Sequence, residues 1–259
     1  MSKNLIGYRA LVCGASAGIG RATALALAEK GAEVILLARR AERLQALKDE
    51  IESNGGKARI LVGDLDQRDD VVAKVEALVQ ENPIHILINN TGGPKGGPIL
   101  KAKEEEFLMA FSRHVLSAHR LLQTVIQGMK EEGYGRIINV ISTSVYEPIP
   151  NLGVSNTIRG AMASWAKTVA RELPPKITIN NVLPGFTDTE RLNQLKKGRA
   201  EKSSSTEDAV HQAWMAQVPE GRLAKPEETA AAIAFLVSPE ASFIRGVSLA
   251  VDGGRLRSI

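Results

Sequence analysis

Short apolar runs alternate with longer amphipathic segments along the whole chain, and this alternation limits the available folds more than any other feature. Seven runs read as strands: ALVCG, EVILLA, ARILVG, IHILINN, GRIINVIS, ITINNVLPG and VSLAVDGG, at residues 10–14, 33–38, 58–63, 84–90, 135–142, 177–185 and 247–254. Helical patterns lie between them, at residues 18–30, 41–53, 67–81, 104–131, 155–172 and 226–237. We therefore predict an α/β fold, a doubly wound seven-stranded parallel sheet (Rossmann fold) with helices on both faces.

No internal repeat, low-complexity tract or Pro/Gly-rich linker divides the 259 residues, so we expect a single domain spanning residues 1–259. One polar, basic insertion, at about residues 186–220, contains no strand pattern. A long insertion after the carboxyl end of a strand commonly lines or covers a site. We expect a mobile substrate loop with short helices whose apolar contacts are Leu195, Trp214 and Met215. A disordered surface excursion is the alternative.

Composition narrows the class of protein. An apolar content of 44% and a charged content of 24% are those of an ordinary globular protein. The 33 basic and 29 acidic residues are dispersed, which argues against a nucleic-acid partner. No apolar run approaches the ~20 residues of a membrane span, and the N-terminus lacks a signal-peptide core. The single cysteine, Cys13, excludes a disulfide framework and a cysteine-based metal site, so we expect a cytoplasmic protein without metal or membrane partner.

Glycines punctuate the connection between the first strand and the first helix. Gly14, Gly18 and Gly20 stand in LVCGASAGIGRATALALAEKG. Glycine there permits a tight turn and close approach of the backbone to a pyrophosphate, which then faces the helix N-terminus. A glycine pattern alone is weak evidence, but this one lies in the strand–helix context that the motif requires. We predict that this turn, including Ser16 and Ile19, binds a dinucleotide.

Two arginines follow the second strand where a carboxylate commonly holds a free ribose. Arg39 and Arg40 precede the first acidic residue of this stretch, Glu42. Guanidinium groups suit a 2′-phosphate through charge-assisted hydrogen bonds. We therefore predict NADP(H) in preference to NAD(H). The alternative is a solvated basic start of a helix, although basic residues there oppose the helix dipole.

Several motifs in order resemble the short-chain dehydrogenase/reductase family. They are the Gly14-xxx-Gly18-x-Gly20 spacing, GDLD around Asp64, INNTGG at 88–93 and NNVLPGFTDT at 180–189. The stretch GRLAKPEETAAAIAFLVSPEASFIRGVSLAVDGG also looks like the C-terminal half of bacterial 3-oxoacyl-acyl-carrier-protein reductase-like members. The resemblance covers the whole chain. It implies an oxidoreductase acting on a small-molecule carbonyl or alcohol, with acyl carrier protein as a candidate partner and a homotetramer as the assembly.

The resemblance also assigns residues to the cofactor. It implies that Asp64 contacts the adenine and that Asn89 stabilises the central sheet beside the cofactor. The other positions that it assigns to cofactor binding are Leu65, Asn90, Thr91, Gly92, Arg159, Pro184, Gly185 and Thr187. Of these, Pro184, Gly185 and Thr187 are expected along the nicotinamide.

The family's catalytic set is an asparagine, a serine, a tyrosine and a lysine, and here three of the four positions differ. Ser142, at the end of GRIINVIS, matches the serine. Counting outward places His114, Ser155 and Arg159 on the asparagine, the tyrosine and the lysine. The Ser155 hydroxyl is a far weaker acid than a phenol, and Arg159 supplies charge but relays no proton.

Two further groups bear on the missing acid. His114 either titrates near neutrality or is a satisfied polar residue of its helix. Tyr146 either takes over from the absent tyrosine or packs as a loop aromatic on Pro148 or Pro150. Two functions remain open: an oxidoreductase with an atypical active site, and a catalytically degenerate nucleotide-binding protein that acts as a sensor or a partner subunit.

Overall fold

The computed structural model describes residues 3–258, and its seven strands form one sheet in the order β3-β2-β1-β4-β5-β6-β7. All neighbouring strands are parallel. The strands are β1 Arg9–Cys13, β2 Glu33–Ala38, β3 Lys57–Val62, β4 Ile86–Asn89, β5 Gly135–Val140, β6 Ile177–Pro184 and β7 Ser248–Val251. The predicted doubly wound fold is confirmed.

Helices cover both faces of this sheet. They are α1 Gly18–Glu29, α2 Ala41–Ser53, α3 Arg68–Glu81, α4 Glu104–Phe111, α5 Ser117–Glu131, α6 Gly153–Glu172, α7 Glu190–Lys202, α8 Glu207–Met215 and α9 Pro226–Leu236. The first apolar cluster includes Leu27, Leu44 and Ile233 from α1, α2 and α9. The second includes Val75 and Val125 from α3 and α5. Apolar side chains on both sheet faces explain why the strands read as continuous apolar runs.

The helical run expected at 104–131 is interrupted. A π-helical turn, Ser112–Leu116, separates α4 from α5. Such single wide turns are rare and frequently lie at functional sites. This one contains His114, so the insertion sets the position of a predicted site residue.

The segment after β6 folds into α7 and α8. Their contact is a small apolar cluster in which Ala200, Val210 and Trp214 are buried. Leu195 and Met215 pack against it, and the Trp214 ring stacks on Phe186 at 5.0 Å between centroids. This segment therefore has its own apolar contacts, including the three residues that the sequence predicts.

A row of buried amides crosses the C-terminal part of the sheet. Asn89 Nδ2 donates to Asn139 Oδ1 at 2.9 Å, and Asn139 Nδ2 donates to Asn181 Oδ1 at 2.9 Å. Asn181 Nδ2 then donates to Ser248 Oγ at 3.0 Å. These residues are register partners on β4, β5, β6 and β7. The amide row therefore satisfies polar groups within an apolar layer and joins the strands that carry the site.

Candidate active site

Two glycines of the turn after β1 stand where no side chain would fit. Gly14 has a φ of +65°, and a Cβ there would lie 2.6 Å from the Asn90 backbone oxygen. A Cβ on Gly20 would lie 2.2 Å from the Gly14 oxygen. The Asn90 side chain fixes this geometry by donating to the Cys13 carbonyl at 3.3 Å. The turn therefore brings bare backbone to the carboxyl ends of β1 and β4, as a pyrophosphate requires.

The N-terminus of α1 is open for an anion. Helix α1 begins at Gly18, and its N-cap residue Ala17 provides no side-chain hydrogen bond. The first turn contains no acidic residue. Its first amide groups thus have no side-chain cap, and the positive end of the helix dipole faces the turn. This arrangement fits a dinucleotide phosphate.

Basic side chains gather at the end of β2. Arg40 donates from Nε and Nη2 to Ser16 Oγ at 3.2 and 2.9 Å. Arg39 points elsewhere, with Nη1 3.6 Å from Asp64 Oδ2. Arg40 is thus in direct contact with the glycine turn, whereas Arg39 pairs with the carboxylate assigned to the adenine.

One acidic residue of the insertion contacts the same basic group. Glu190, at the start of α7, pairs with Arg43 Nη1 at 2.6 Å and with Arg40 Nη1 at 3.4 Å. These guanidinium groups lower the pKa of Glu190. A cleft of about 280 Å³ lies here, lined by Ser16, Gly18, Arg43 and Glu190 among others. No sequence motif indicates Arg43 and Glu190, because only the fold brings α7 and α2 together.

The remaining cofactor positions surround the same edge of the sheet. Asp64 Oδ1 accepts from the Asp66 amide at 3.1 Å, and the Leu65 carbonyl accepts from Ser117 Oγ at 3.3 Å. A Cβ on Gly92 would meet no atom within 4 Å, so open space lies beside the chain after β4. The glycine turn, the uncapped α1 terminus and Arg40 together fit NADP(H).

The turn after β6 closes the other side of the edge. A Cβ on Gly185 would lie 2.7 Å from Asp252 Cα, so the C-terminal segment packs directly on this turn. Thr187 Oγ1 donates to the Gly185 carbonyl at 3.3 Å. Thr189 then caps α7 by accepting from the Leu192 amide at 3.2 Å. Pro184, Gly185 and Thr187 thus link β6 to the helix that carries Glu190.

At the reaction end, the structure gathers Ser155 and Arg159 beside Gly93. A Cβ at Gly93 would lie 3.6 Å from Arg159 Nη2 and 3.9 Å from Ser155 Oγ. Arg159 is only 7% exposed and donates from Nη1 to the Val140 carbonyl at 3.2 Å. Burial, and then the charge of Arg191, lowers the Arg159 pKa to about 10, which leaves the guanidinium charged at neutral pH.

Ser142 lies at the carboxyl end of β5. Its Oγ accepts from the Ser144 amide at 3.1 Å and caps the short 3₁₀ turn Thr143–Val145. Because this bond uses the oxygen as an acceptor, the Ser142 hydroxyl proton remains free to donate. The serine position is therefore suited to bind a substrate oxygen.

His114 departs from both readings of the sequence. It is 3% exposed, and burial followed by the charges of Arg159 and Arg113 lowers its pKa to about 2. The expectation that it titrates near neutrality is wrong, because a buried imidazolium beside two guanidinium groups is disfavoured. The alternative of a satisfied polar residue holds only in part, since the ring has a backbone hydrogen bond at Gly92 but its Nε2 makes none within residues 3–258.

Tyr146 projects toward the edge of the sheet. Its hydroxyl donates to the Ser248 carbonyl of edge strand β7 at 3.3 Å, and the side chain is 51% exposed. Within residues 3–258 it is the only hydrogen bond of the phenol, and it aims the hydroxyl at β7.

Arg191, in the first turn of α7, is a further residue of the site that no sequence motif indicates. Its Nη2 donates to the carbonyls of Pro94 at 2.8 Å and Gly93 at 3.2 Å. Its charge acts on buried Arg159. The only signal in the sequence was its place in a basic insertion that follows a site turn.

Two chemistries receive no support at this site. Burial raises the pKa of the Cys13 thiol to about 12, so it is no thiolate nucleophile near neutrality. Across the part of the chain that the structure describes, no cluster of three or more His, Cys, Asp or Glu side chains can hold a metal ion.

The same residues include no helix of the length and apolarity needed to cross a membrane.

The sheet order, glycine turn and basic cleft define a dinucleotide-binding α/β protein of the doubly wound class. A family model described as enoyl-(acyl carrier protein) reductase matches residues 14–255. The 3-oxoacyl-(acyl-carrier-protein) reductase FabG of Vibrio cholerae is 38% identical over 255 residues, which cover 97% of this chain and 98% of that protein. The chain belongs to the short-chain dehydrogenase/reductase family, as its motifs indicate.

Other relatives extend this comparison. The NADPH-dependent reductase BacG of Bacillus subtilis is 31% identical over 256 residues, or 96% of this chain and 98% of BacG. The solved structure of L-sorbose reductase from Gluconobacter frateurii, complexed with NADPH and L-sorbose, has a TM-score of 0.93 at 28% identity and full coverage of both chains. The structure of YwfH, an NADPH-dependent reductase involved in bacilysin biosynthesis, has a TM-score of 0.90 at 29% identity and covers 97% of this chain and 99% of that one.

Proposed function

We propose that this protein is an NADP(H)-dependent oxidoreductase that acts on a small carbonyl or alcohol through an active site without the family's tyrosine and lysine. The observation that carries the proposal is the contact of Arg40 with Ser16 above the glycine turn. It sets a guanidinium next to the backbone that binds a dinucleotide, where a 2′-phosphate would be received. The relatives described as NADPH-dependent or bound to NADPH support the same cofactor.

The chain's own residues perform limited tasks in this reaction. NADP(H) held by the glycine turn and Arg40 would supply or accept the hydride. The free hydroxyl of Ser142 donates a hydrogen bond to the substrate oxygen and keeps its proton, while Arg159 holds a fixed positive charge on the same side of the site. Ser155 offers a second hydroxyl near Arg159. We assign no proton transfer to Tyr146, because its phenol is engaged with β7, and we infer that solvent supplies the proton.

A second function stays in view because of that missing acid. A positioned general acid contributes about 10²–10⁴-fold to rate, and Ser155 stands where the family has one. If turnover is negligible, the protein acts instead as a nucleotide-binding sensor or as a partner subunit. The cofactor cleft described above serves either function.

The wider setting is proposed on the same basis. We infer one dinucleotide-binding domain over residues 1–259, with the segment near 186–220 as a mobile substrate loop, and a small-molecule substrate with acyl carrier protein as a candidate partner. We also infer a homotetramer, because Leu108 and Met109 on α4 are exposed apolar residues, and so is Leu249 on β7. A cytoplasmic location suits the free, buried thiol of Cys13. Analytical ultracentrifugation that shows only a monomer at micromolar concentration would contradict the assembly.

The cofactor is tested by titrating NADPH and NADH into wild type and an Arg40→Ala variant. Loss of a charge-assisted contact to the 2′-phosphate is expected to weaken NADPH binding about tenfold or more and to leave NADH binding unchanged. Arg59→Ala is the matched control, because Arg59 is a surface arginine paired with Glu81 on β3 and α3. Equal affinity of the wild type for both nucleotides would contradict the assignment.

Turnover is tested with NADPH deuterated at the nicotinamide C4 and a panel of 3-oxo compounds. Deuterium in the alcohol product establishes hydride transfer. The expected result is slow transfer that Ser142→Ala reduces by roughly 10²-fold and that Tyr146→Phe leaves unchanged. Loss of hydride transfer in Tyr146→Phe would show that the Tyr146 phenol supplies the proton. Tight NADPH binding with no deuterium in any product favours the sensor or partner-subunit function.

A further inference from the structure

Beside Gly93 lies a buried positive charge that has no counter-ion within residues 3–258. Arg159 is more than nine-tenths buried, and its one hydrogen bond within residues 3–258 goes to a backbone carbonyl, that of Val140. No acidic side chain contributes to its pKa, which burial and Arg191 lower. Buried charges in proteins are commonly paired, because an unpaired one loses its hydration without compensation. Arg159 thus lacks the partner that its burial calls for.

A second arginine strengthens the same positive field. Arg191 donates hydrogen bonds to the carbonyls of Gly93 and Pro94. It lies in the first turn of α7, where a basic residue opposes the helix dipole instead of stabilising the helix. Its place therefore has no explanation in the stability of α7. Both arginines meet at Gly93, because Arg159 Nη2 and Ser155 Oγ would lie 3.6 and 3.9 Å from a Cβ there and Arg191 Nη2 donates to its carbonyl.

The phosphates of the cofactor do not account for this charge. The glycine turn and the uncapped N-terminus of α1 suit the pyrophosphate, and Arg40 with Ser16 suits the 2′-phosphate. Arg159 lies instead at the carboxyl end of β5, where it contacts Val140, two residues before Ser142. The excess charge is thus on the side where the substrate binds.

We propose that the space beside Gly93, bordered by Arg159, Arg191 and Ser155, binds a carboxylate of the substrate. This inference rests on the proposed function and specifies its substrate class: a small oxo acid or hydroxy acid, not a neutral ketone. Guanidinium groups match a planar carboxylate with two parallel hydrogen bonds. The Ser155 hydroxyl adds a third donor where a tyrosine ring would exclude the anion.

The experiment compares two probes that differ in one charge. Acetoacetate and its neutral methyl ester are titrated by calorimetry into the full-length protein saturated with NADP⁺, with which neither ketone can react. Acetoacetate is expected to bind, and to bind about tenfold or more tightly than the ester. Added salt should weaken the binding of acetoacetate and leave that of the ester unchanged.

Variants locate the anion. Arg191→Gln changes an exposed residue and is expected to weaken acetoacetate binding roughly tenfold or more while NADP⁺ binding stays the same. Arg159→Gln should weaken acetoacetate at least as much. Arg199→Gln, which removes an exposed arginine from the same helix, is the matched control and should change neither affinity.

The outcomes separate this inference from the proposed function. Equal binding of acetoacetate and its ester, no binding of acetoacetate, or an unchanged affinity in Arg191→Gln would overturn the carboxylate site while leaving NADP(H) binding intact. A loss of NADP⁺ affinity in both arginine variants would assign the arginines to the cofactor and also overturn it. Failure of the wild type to bind NADP⁺ or NADPH would instead refute the proposed function.

Discussion

Replacing Arg159 by methionine is expected to stabilise the protein in the absence of ligands. Burial lowers the pKa of this arginine from 12.5 to about 10. At about 1.4 kcal/mol per pKa unit, burying the charged form costs roughly 3 kcal/mol. The substitution removes this cost, but it also removes the hydrogen bond to the Val140 carbonyl, which destabilises the folded state by about 1 kcal/mol. Methionine is flexible enough to fill the vacated space, so the net stabilisation is about 2 kcal/mol.

Folding disfavours the charged form of Arg159, and this determines how its effect on stability changes with pH. Because the folded-state pKa of Arg159 is below its unfolded value, the destabilisation is constant below about pH 10 and is relieved as the pH rises from there toward 12.5. Urea unfolding at pH 8 without nucleotide therefore measures the full effect. For a chain of this size, about 2 kcal/mol corresponds to a Tm increase of roughly 4–8 °C.

The control and the refutation use the same assay. Arg199→Met removes an exposed guanidinium and should stay within about 0.5 kcal/mol of wild type. The Arg159 variant is expected to lose the additional stabilisation that acetoacetate gives the NADP⁺-bound wild type. If Arg159→Met is equal to wild type or less stable without ligands, the buried charge is compensated and the reasoning fails.

Two further predictions concern groups near the cofactor and the π turn. His114→Asn should make the stability of the protein less sensitive to acid. The unfolded histidine gains a proton below about pH 6.5, whereas the folded one stays neutral to about pH 2. Between pH 8 and pH 5 the free energy of unfolding, measured with urea, should therefore fall by about 2 kcal/mol more in the wild type than in the variant. Identical pH profiles would show that the imidazole is not buried in this way. Glu190→Gln should bind NADPH roughly two- to fivefold more tightly, with NADH unchanged, because the carboxylate no longer competes for Arg40 and Arg43. Weaker NADPH binding in fluorescence titrations would mean that Glu190 instead positions these arginines for the phosphate.

The sheet could be predicted from sequence because its strands are buried on both faces. Runs such as EVILLA carry that signal directly, and the β2 bounds agree with the predicted ones. The division of the helix at 104–131 could not be predicted, because a π turn adds one residue within a continuous helical run, and SRHVL contains no glycine or proline that would mark it. That small change matters for the site, since His114 lies within it.

Site residues could be predicted only where they belong to a motif within one continuous stretch of sequence. The glycine turn has its spacing in one stretch of sequence, and its close contacts explain why glycine is needed there. The pairing of Glu190 with Arg40 and Arg43 depends on how α7 packs, and no local pattern records it. The pKa of His114 likewise depends first on its burial and then on the charges of Arg159 and Arg113, so residue type alone gave the wrong expectation.

The amide row from Asn89 to Ser248 makes strand alignment an all-or-none property. A shift of any one strand by one residue would turn its amide side chain to the opposite face of the sheet. The neighbouring amides would then be left without hydrogen-bond partners in an apolar layer. The heights at which the strands end are therefore fixed independently of the side chains above them. The chemistry at Ser155 and Arg159 can therefore differ from that of the relatives without any change in the position of the strand ends beneath the nicotinamide.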